Sequence, residues 1–382
     1  MSLPKVKLPG THRAVRPEVT WARIEPQLGR FGITRVADVT RLDNIGIPVV
    51  LAVRPLSETL AVSQGKGVSV TLARLSAVME SIELWHAERP AVEDFVAAAA
   101  DLDLPYALSD LNLRGPVSSW ADGLELSWVW AAPIAGGARV PVPLDLVRLS
   151  YSGEHFWRPR VFQTSSTGLA SGNTFAEACL HAVYEAVERD VLAGAPDRDD
   201  ARRLRLDPTS FRSGHLRALL ARLDEAGVEY EIEYLPNRFG IPTFAAYVWS
   251  PLFPIVCAGS GSHMDADVAL SRALTEAVQS RLTEISATRD DIPSELDLAR
   301  DGCVAPGFRA HSDGLPLEDA LRGDGEDFDD LELELAAVTR RVSDAVGHQP
   351  LAVELSTQPE LFSVVRVVCP GLSYSQGRTL PT

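Results

Sequence analysis

Cysteines and long apolar runs are scarce in this 382-residue sequence. The four cysteines, Cys179, Cys257, Cys303 and Cys369, are widely separated, which argues against a disulfide framework or a structural zinc site. No apolar stretch approaches the ~20 residues that cross a bilayer, and the N-terminus has no apolar signal-peptide core. We therefore expect a cytoplasmic protein that does not enter a membrane.

The common nucleotide-binding signatures are also absent. No GxGxxG motif leads from a predicted strand into a helix, and GxxxxGK[ST] does not occur. The formal net charge of −16 argues against a nucleic-acid partner, because binding to phosphates along a strand needs clustered lysine and arginine. It does not exclude a small nucleotide, since one bound metal ion can reverse the local field.

The apolar patterns predict a mixed α+β fold. Four segments are predicted to contain strands: 45–55, 162–170, 241–250 and 362–372. The segment 208–229 predicts an amphipathic helix closed by Gly227 and followed by an alternating strand. Because strands and helices are not ordered as βαβ units, we expect one α+β domain over residues 1–382. Residues from about 200 to 250 would form a peripheral βα subregion.

One seven-residue pattern occurs three times, as AVMESIE (77–83), AVYEAVE (182–188) and ALTEAVQ (273–279). In each copy an alanine lies four residues before the first residue: Ala73, Ala178 and Ala269. A glycine-rich segment, predicted to be a turn, precedes each copy: 63–67, 167–173 and 259–263. The combination predicts a structural repeat or one site assembled from three helices.

The polar positions of the pattern carry five acids and one amide: Glu80, Glu83, Glu185, Glu188, Glu276 and Gln279. A helix places them beside its apolar stripe. They could be exposed acids on the helix rim, but acids three residues apart repel, and repeating that cost three times favours a bound cation. Oxygen ligands without histidine or cysteine indicate magnesium or calcium rather than zinc, and we predict a magnesium site.

Magnesium in proteins commonly shares its coordination with phosphates, and glycine turns before helices offer N–H donors to them. The sequence therefore predicts a nucleotide–magnesium site. Five residues are candidate nucleotide contacts: Lys66, Asn173, Arg189, Arg272 and Arg281. Lys66 could instead be an exposed loop residue, Asn173 a helix cap, and the arginines ion-pair partners. His263 could be a turn residue or a base.

Five segments of the chain resemble the YcaO family: 32–55, 63–83, 166–190, 259–291 and 364–372. The resemblance implies a family-specific fold in which the ExxE-bearing helices surround ATP and Mg2+. It also implies that the five acids and Gln279 bind the metal directly or through water. Lys66, Ser76, Asn173 and Arg189 would contact the nucleotide, and we expect Arg189, Glu188 and Lys66 to act in catalysis.

The resemblance further implies a reaction on backbone amides of ribosomally made peptides. A nucleophile adds to the amide, and the amide oxygen then leaves as phosphate. A substrate side chain gives an azoline, sulfide a thioamide, and an amine an amidine. The chain lacks the proline-rich PxPxP tail of partner-dependent azoline-forming members and resembles shorter ones, either standalone or acting with a TfuA-like protein. A homodimer is expected from the family. His181 and Ala170 depart from the family's common residues.

Two other functions compete with this one. A non-catalytic member could bind nucleotide or a leader peptide and recruit a partner enzyme, although the acids are present on all three predicted helices. A metal-dependent hydrolase would need a base or nucleophile beside the acids, and no histidine or cysteine recurs at the three motifs.

Overall fold

The computed structural model describes residues 3–90, 92, 94–114, 121–149, 161–195, 202–288, 307–308 and 311–374. In this part of the chain the α-helices are α1 Pro17–Ile24, α2 Val70–Glu88, α3 Phe175–Gly194, α4 Gly214–Glu225, α5 Ala266–Ser286, α6 Leu317–Leu321 and α7 Leu331–Val346. None of these helices is long and apolar enough to cross a membrane. Three cysteines are buried and free, and Cys303 lies outside the described residues.

The described strands form four sheets in which every pairing between named strands is antiparallel. The strands are β1 Val6–Leu8, β2 Thr11–Arg13, β3 Arg35–Asp38, β4 Val49–Val53, β5 Val62–Lys66, β6 Asp94–Ala98, β7 Glu125–Pro133, β8 Val140–Pro143, β9 Leu169–Gly172, β10 Leu204–Arg205, β11 Glu229–Tyr234, β12 Thr243–Ser250, β13 Phe253–Ser262, β14 Leu351–Glu354 and β15 Ser363–Val368. The sheet orders are β1-β2, β3-β4-β5, β10-β11-β12-β13 and β6-β7-β14-β15-β9, with β8 paired to β7. The architecture is the predicted α+β fold.

Most predicted elements exist, but several begin or end elsewhere. The strands predicted in 241–250 and 362–372 are β12 and β15. The segment 45–55 is a strand only from Val49, directly after Pro48, which has no N–H to donate to a ladder. In 162–170 the named strand begins only at Leu169. The predicted helix 208–229 is a short 3-10 turn followed by α4, with Gly227 beyond its end at a φ of 66°.

The glycine-rich segments are largely strands rather than the predicted turns, although Thr167 and Gly168 do form a turn. The segments lie on β5, on β9 and the residues before it, and at the end of β13, and these strands lead into α2, α3 and α5. A Cβ on Gly65 would lie 2.1 Å from both the Ala73 carbonyl oxygen and the Ala77 nitrogen, and one on Gly261 would lie 2.3 Å from the Ala269 carbonyl oxygen. Glycine and the Ala-x3-Ala face therefore allow the backbone of each strand to approach the helix that follows it.

The three repeat helices begin at side-chain caps. Ser69 accepts a hydrogen bond from the Leu72 N–H, and Thr174 accepts one from the Glu177 N–H. Asp265 caps α5 in the same way. These caps satisfy backbone donors that are otherwise unpaired at a helix start, and they fix where each strand turns into its helix.

Candidate active site

The geometry that the three strand–helix units share brings the acids of α2, α3 and α5 together. Within the first two units, the backbone before the helix holds a carboxylate of that helix. The Gln64 N–H donates to Glu80 at 3.0 Å, and the Gly168 N–H donates to Glu185 at 3.1 Å. Because these donors belong to the backbone, both carboxylates are oriented by the strand-to-helix packing described above.

Side chains also connect the units in a closed cycle. Ser171, in the second unit, donates to Glu83 of the first at 2.5 Å. Ser260, in the third unit, donates to Glu188 of the second at 2.7 Å. Lys66, in the first unit, forms an ion pair with Glu276 of the third. Each unit therefore supplies one polar group to a carboxylate of another, and the cluster forms only where all three units meet.

Burial and like charge perturb the acids of α2 and α3. Burial raises the pKa of Glu83 to about 8, and the charges of Glu80 and Glu185 add to the effect. Burial also raises the pKa of Glu185, to which the charge of Glu188 adds. Acids from two different helices thus act on one another across the cluster. This region has an excess of negative charge that a bound cation would relieve.

Cationic side chains lie beside the acids of α3 and α5. Burial alone would lower the pKa of Arg189, but the carboxylates of Glu188, Glu276 and Glu185 raise it. Burial would raise the pKa of Glu276, but Lys66 and Arg189 lower it. Acidic and basic groups are therefore adjacent, as required by a site that holds both a metal ion and phosphates.

Comparison with known proteins identifies the family. The model of the family described as YcaO cyclodehydratase, ATP- and Mg2+-binding, matches residues 64–373. The chain belongs to the YcaO family. This confirms the resemblance predicted from the motifs, and it confirms ATP and Mg2+ as the ligands that characterise the family.

Two uncharacterized relatives of this YcaO chain match it over most of its length. One, from Mycobacterium tuberculosis, is 39% identical over 378 residues, which is 98% of this chain and 85% of the relative. The other, encoded in the tfuA 3′ region of Rhizobium leguminosarum bv. trifolii, is 35% identical over 395 residues, with 94% of this chain and 88% of the relative covered.

Solved structures confirm the YcaO fold. YcaO from Methanopyrus kandleri, bound with AMPPCP and Mg2+, matches with a TM-score of 0.70 and 21% identity over 100% of this chain and 99% of that one. A heterocyclase in complex with substrate and cofactor matches with a TM-score of 0.77 and 20% identity over 99% of this chain and 55% of that one.

The donor set of this YcaO site fits magnesium. In the described residues no three histidine, cysteine, aspartate or glutamate side chains already form a metal-binding group. Four of the carboxylates accept hydrogen bonds from serines or backbone N–H groups. The side-chain oxygen of Gln279 is buried and has no hydrogen-bond partner among the described residues. Carboxylate and amide oxygens are the hard ligands that magnesium prefers, so the predicted metal-binding residues suit this ion.

The predicted nucleotide contacts do not all lie at the cluster. Arg281 forms a buried ion pair with Asp43 at 2.8 Å and lies over the Phe253 ring, so its guanidinium is committed elsewhere. Ser76 is exposed on α2. Arg272 lies close enough to Glu276 to lower the pKa of that carboxyl, and its Nε is buried without a partner among the described residues.

Asn173 and His263 each have a defined environment. The Asn173 amide donates to Glu177 at 3.1 Å and its oxygen accepts from Thr20 at 2.7 Å, while Thr174 is the actual cap of α3. His263 packs against the Tyr184 ring, and burial lowers its pKa well below the usual value. It is therefore a neutral residue, buried against the rings of His12 and Tyr184.

Several site residues were not predicted from the sequence. Arg13, on β2, contacts His181 and lies 3.7 Å from Glu177. Burial lowers the pKa of Arg13, and the charge of Glu83 opposes that effect, which places Arg13 beside the acids. Ser171 and Ser260 lie in the glycine-rich segments and could have been found there. Nothing in the sequence indicates that Arg13 reaches α3.

Proposed function

We propose that this YcaO protein uses ATP to exchange the oxygen of a backbone amide for sulfur in a ribosomally made peptide. The observation that supports this most directly is the cycle of three strand–helix units. In it the acids of α3 and α5 lie beside Lys66 and Arg189, and Ser171 links the second unit to Glu83 of the first. The overall reaction is amide + ATP + HS− → thioamide + ADP + HPO4 2−. The amide oxygen leaves in the phosphate, and the proton of hydrosulfide leaves with it.

The acidic and basic residues of the cluster have different proposed roles. The carboxylates Glu80, Glu83, Glu185, Glu188 and Glu276, with Gln279, would hold Mg2+. When bound, ATP and Mg2+ supply the transferable phosphoryl group and the charge that neutralises it. Lys66 and Arg189 would place positive charge beside the phosphates, and Arg13 and Arg272 extend that charge toward α3 and α5. Arg189, Glu188 and Lys66 remain the proposed catalytic residues.

Positioning and charge neutralisation account for the chemistry that this site can provide. An amide oxygen is a poor leaving group, and an oxyanion formed on the substrate needs nearby positive charge. Lys66 and Arg189 lie among carboxylates of α3 and α5, so they are oriented before the substrate arrives. Such preorganisation lowers the cost of the reaction without a covalent enzyme intermediate.

The choice of sulfur rests on gene context rather than on the cluster. A relative at 35% identity is encoded in a tfuA 3′ region, which supports a TfuA-like partner and a thioamide product. The family description as cyclodehydratase supports a second candidate, in which a substrate side chain closes an azoline. A purely non-catalytic scaffold is disfavoured, since all six motif positions retain an acid or an amide.

Intact-mass analysis of a candidate precursor peptide tests the proposal. We expect replacement of one oxygen by sulfur only when ATP, Mg2+, sulfide and a TfuA-like protein are present. Loss of one water with ATP and Mg2+ alone would instead establish an azoline or an amidine. Glu188→Gln is the inactive control. An unchanged peptide together with unchanged ATP binding in Glu188→Gln would refute both the reaction and the site.

A further inference from the structure

Arg366 is a buried cation on β15 outside the cluster of acids. It is 4% exposed. Its Nε donates to the Leu146 carbonyl and its Nη2 to the Ser165 carbonyl, both at 2.7 Å. Its Nη1 is buried and has no hydrogen-bond partner among the described residues. Two neutral carbonyls therefore hold a full positive charge while Nη1 is left unpaired, an arrangement that is costly unless a further acceptor completes it.

A small cleft lies against this guanidinium. Its volume is about 20 Å3, which is room for about one water molecule. Polar residues form much of its lining: Asn112, Gln163, Ser165, Thr167, Cys369 and Tyr374. A nucleotide is far too large for this space, whereas a single small ion is close to its size.

No described residue that lines the cleft supplies a negative charge. None of the lining residues is an aspartate or a glutamate. Burial raises the pKa of the Cys369 thiol to about 12 and that of the Tyr374 phenol well above its usual value, so both are neutral. Burial lowers the pKa of Arg366 only to about 10, so the guanidinium keeps its charge at neutral pH.

The cleft adjoins the candidate active site. Thr167 lines it, and the next residue, Gly168, donates its N–H to Glu185. The Gly168 carbonyl accepts a hydrogen bond from Val367, directly after Arg366. The charges of Arg366 and Glu185 also influence each other. Thr167 and Gly168 therefore connect the cleft to Glu185 of the candidate active site.

We propose that Arg366 binds a small monovalent anion in this cleft, and that hydrosulfide is the anion used in thioamide formation. The first part stands on the unpaired Nη1, the cleft and the lack of a counter-charge among its lining residues. The second part rests on the proposed function. Halide ions have the same charge and a similar size, so they serve as probes and as competitors.

Thermal unfolding of the whole protein tests the anion site without any activity. At about ten times the dissociation constant, bromide or hydrosulfide should raise the midpoint by about 2 °C, and gluconate at the same ionic strength should not. Arg366→Lys should lose the response, and Arg340→Gln, which removes an exposed arginine on α7, should keep it. Equal responses in Arg366→Lys and the unchanged protein, or no response to either small anion, would overturn the site.

A second measurement covers the case in which Arg366→Lys does not fold. In bromide-soaked crystals of the unchanged protein we expect an anomalous peak within hydrogen-bond distance of Nη1. Its absence would overturn the site.

Kinetics then separate hydrosulfide from other anions. In the thioamide-forming assay Arg366→Lys should raise KM for sulfide at least about tenfold with a much smaller change in KM for ATP, and bromide should compete with sulfide. If bromide binds at Arg366 but does not compete, the anion site stands and the hydrosulfide assignment is wrong. If no thioamide forms under any condition, the proposed function fails, while the binding measurements still decide the anion site.

Discussion

Glu83 is the residue at which stability and function should oppose each other most clearly. Its folded-state pKa is about 8, above the ordinary value of 4.5, because burial and the charges of Glu80 and Glu185 disfavour the carboxylate. The folded protein therefore holds a proton that the unfolded chain releases between these two values. Stability is highest below the unfolded pKa and falls as pH rises toward the folded pKa, by at most about 1.4 kcal/mol per pH unit.

Glu83→Gln removes this pH dependence while nearly preserving the shape of the side chain. Between about pH 5.5 and about pH 7.5 the full slope would change the stability difference by about 2.7 kcal/mol. Because the side chain is only partly shielded from water, we expect a smaller change of about 2 kcal/mol in this difference. The stability of Glu83→Gln should increase relative to that of the unchanged protein as pH rises. Glu229→Gln, at an exposed strand position, should show no such gain.

Urea unfolding of protein freed of divalent metal by a chelator measures this difference. A stability difference between Glu83→Gln and the unchanged protein that stays the same at both pH values would refute the reasoning. Adding Mg2+ and a non-hydrolysable ATP analogue should reverse the order, because the ionised Glu83 then gains a cation partner. Equal stabilisation of both proteins by the ligands would show that Glu83 does not face the metal.

Three further changes separate packing from ligand binding. Gly65→Ala should lower the free energy of unfolding by about 3 kcal/mol or more, because the added Cβ would overlap Ala73 and Ala77. Thermal or urea unfolding measures this change. The control Gly29→Ala, whose Cβ would have nothing within 4 Å, should change stability by less than about 1 kcal/mol. Arg281→Lys should lower the unfolding midpoint and leave KM for ATP unchanged, and a raised KM would return Arg281 to the nucleotide site. Lys66→Met should raise KM for ATP at least about tenfold in an ADP-release assay, and an unchanged value would remove Lys66 from the site.

The acids of the site were predictable from the sequence because they follow helical geometry. A heptad with glutamate at positions four and seven places both side chains on one helix edge, whatever the rest of the fold does. Three such heptads predicted a common function for Glu80, Glu185 and Glu276, and the structure brings their helices together. The relative positions of side chains within one helix depend only on local geometry, so they can be predicted without knowing the tertiary structure.

The glycine segments were misread because glycine has two uses that look alike in a sequence. Glycine permits a tight turn, and it also permits close approach between two backbones. The alanines four residues apart on the following helix were the signal for the second use, since Gly65 packs on Ala73 and Ala77. The Arg13–His181 contact was not predictable in any such way, because it joins residues 168 positions apart.

The cyclic arrangement explains why the repeat is needed at all. One strand–helix unit could hold a carboxylate with its own backbone, as the Gln64 N–H holds Glu80. It could not hold several acids close together, because their repulsion would separate the helices. Linking Ser171 to Glu83, and Lys66 to Glu276, makes each unit depend on another. The close strand–helix packing then resists the repulsion, so the acids remain assembled before magnesium arrives.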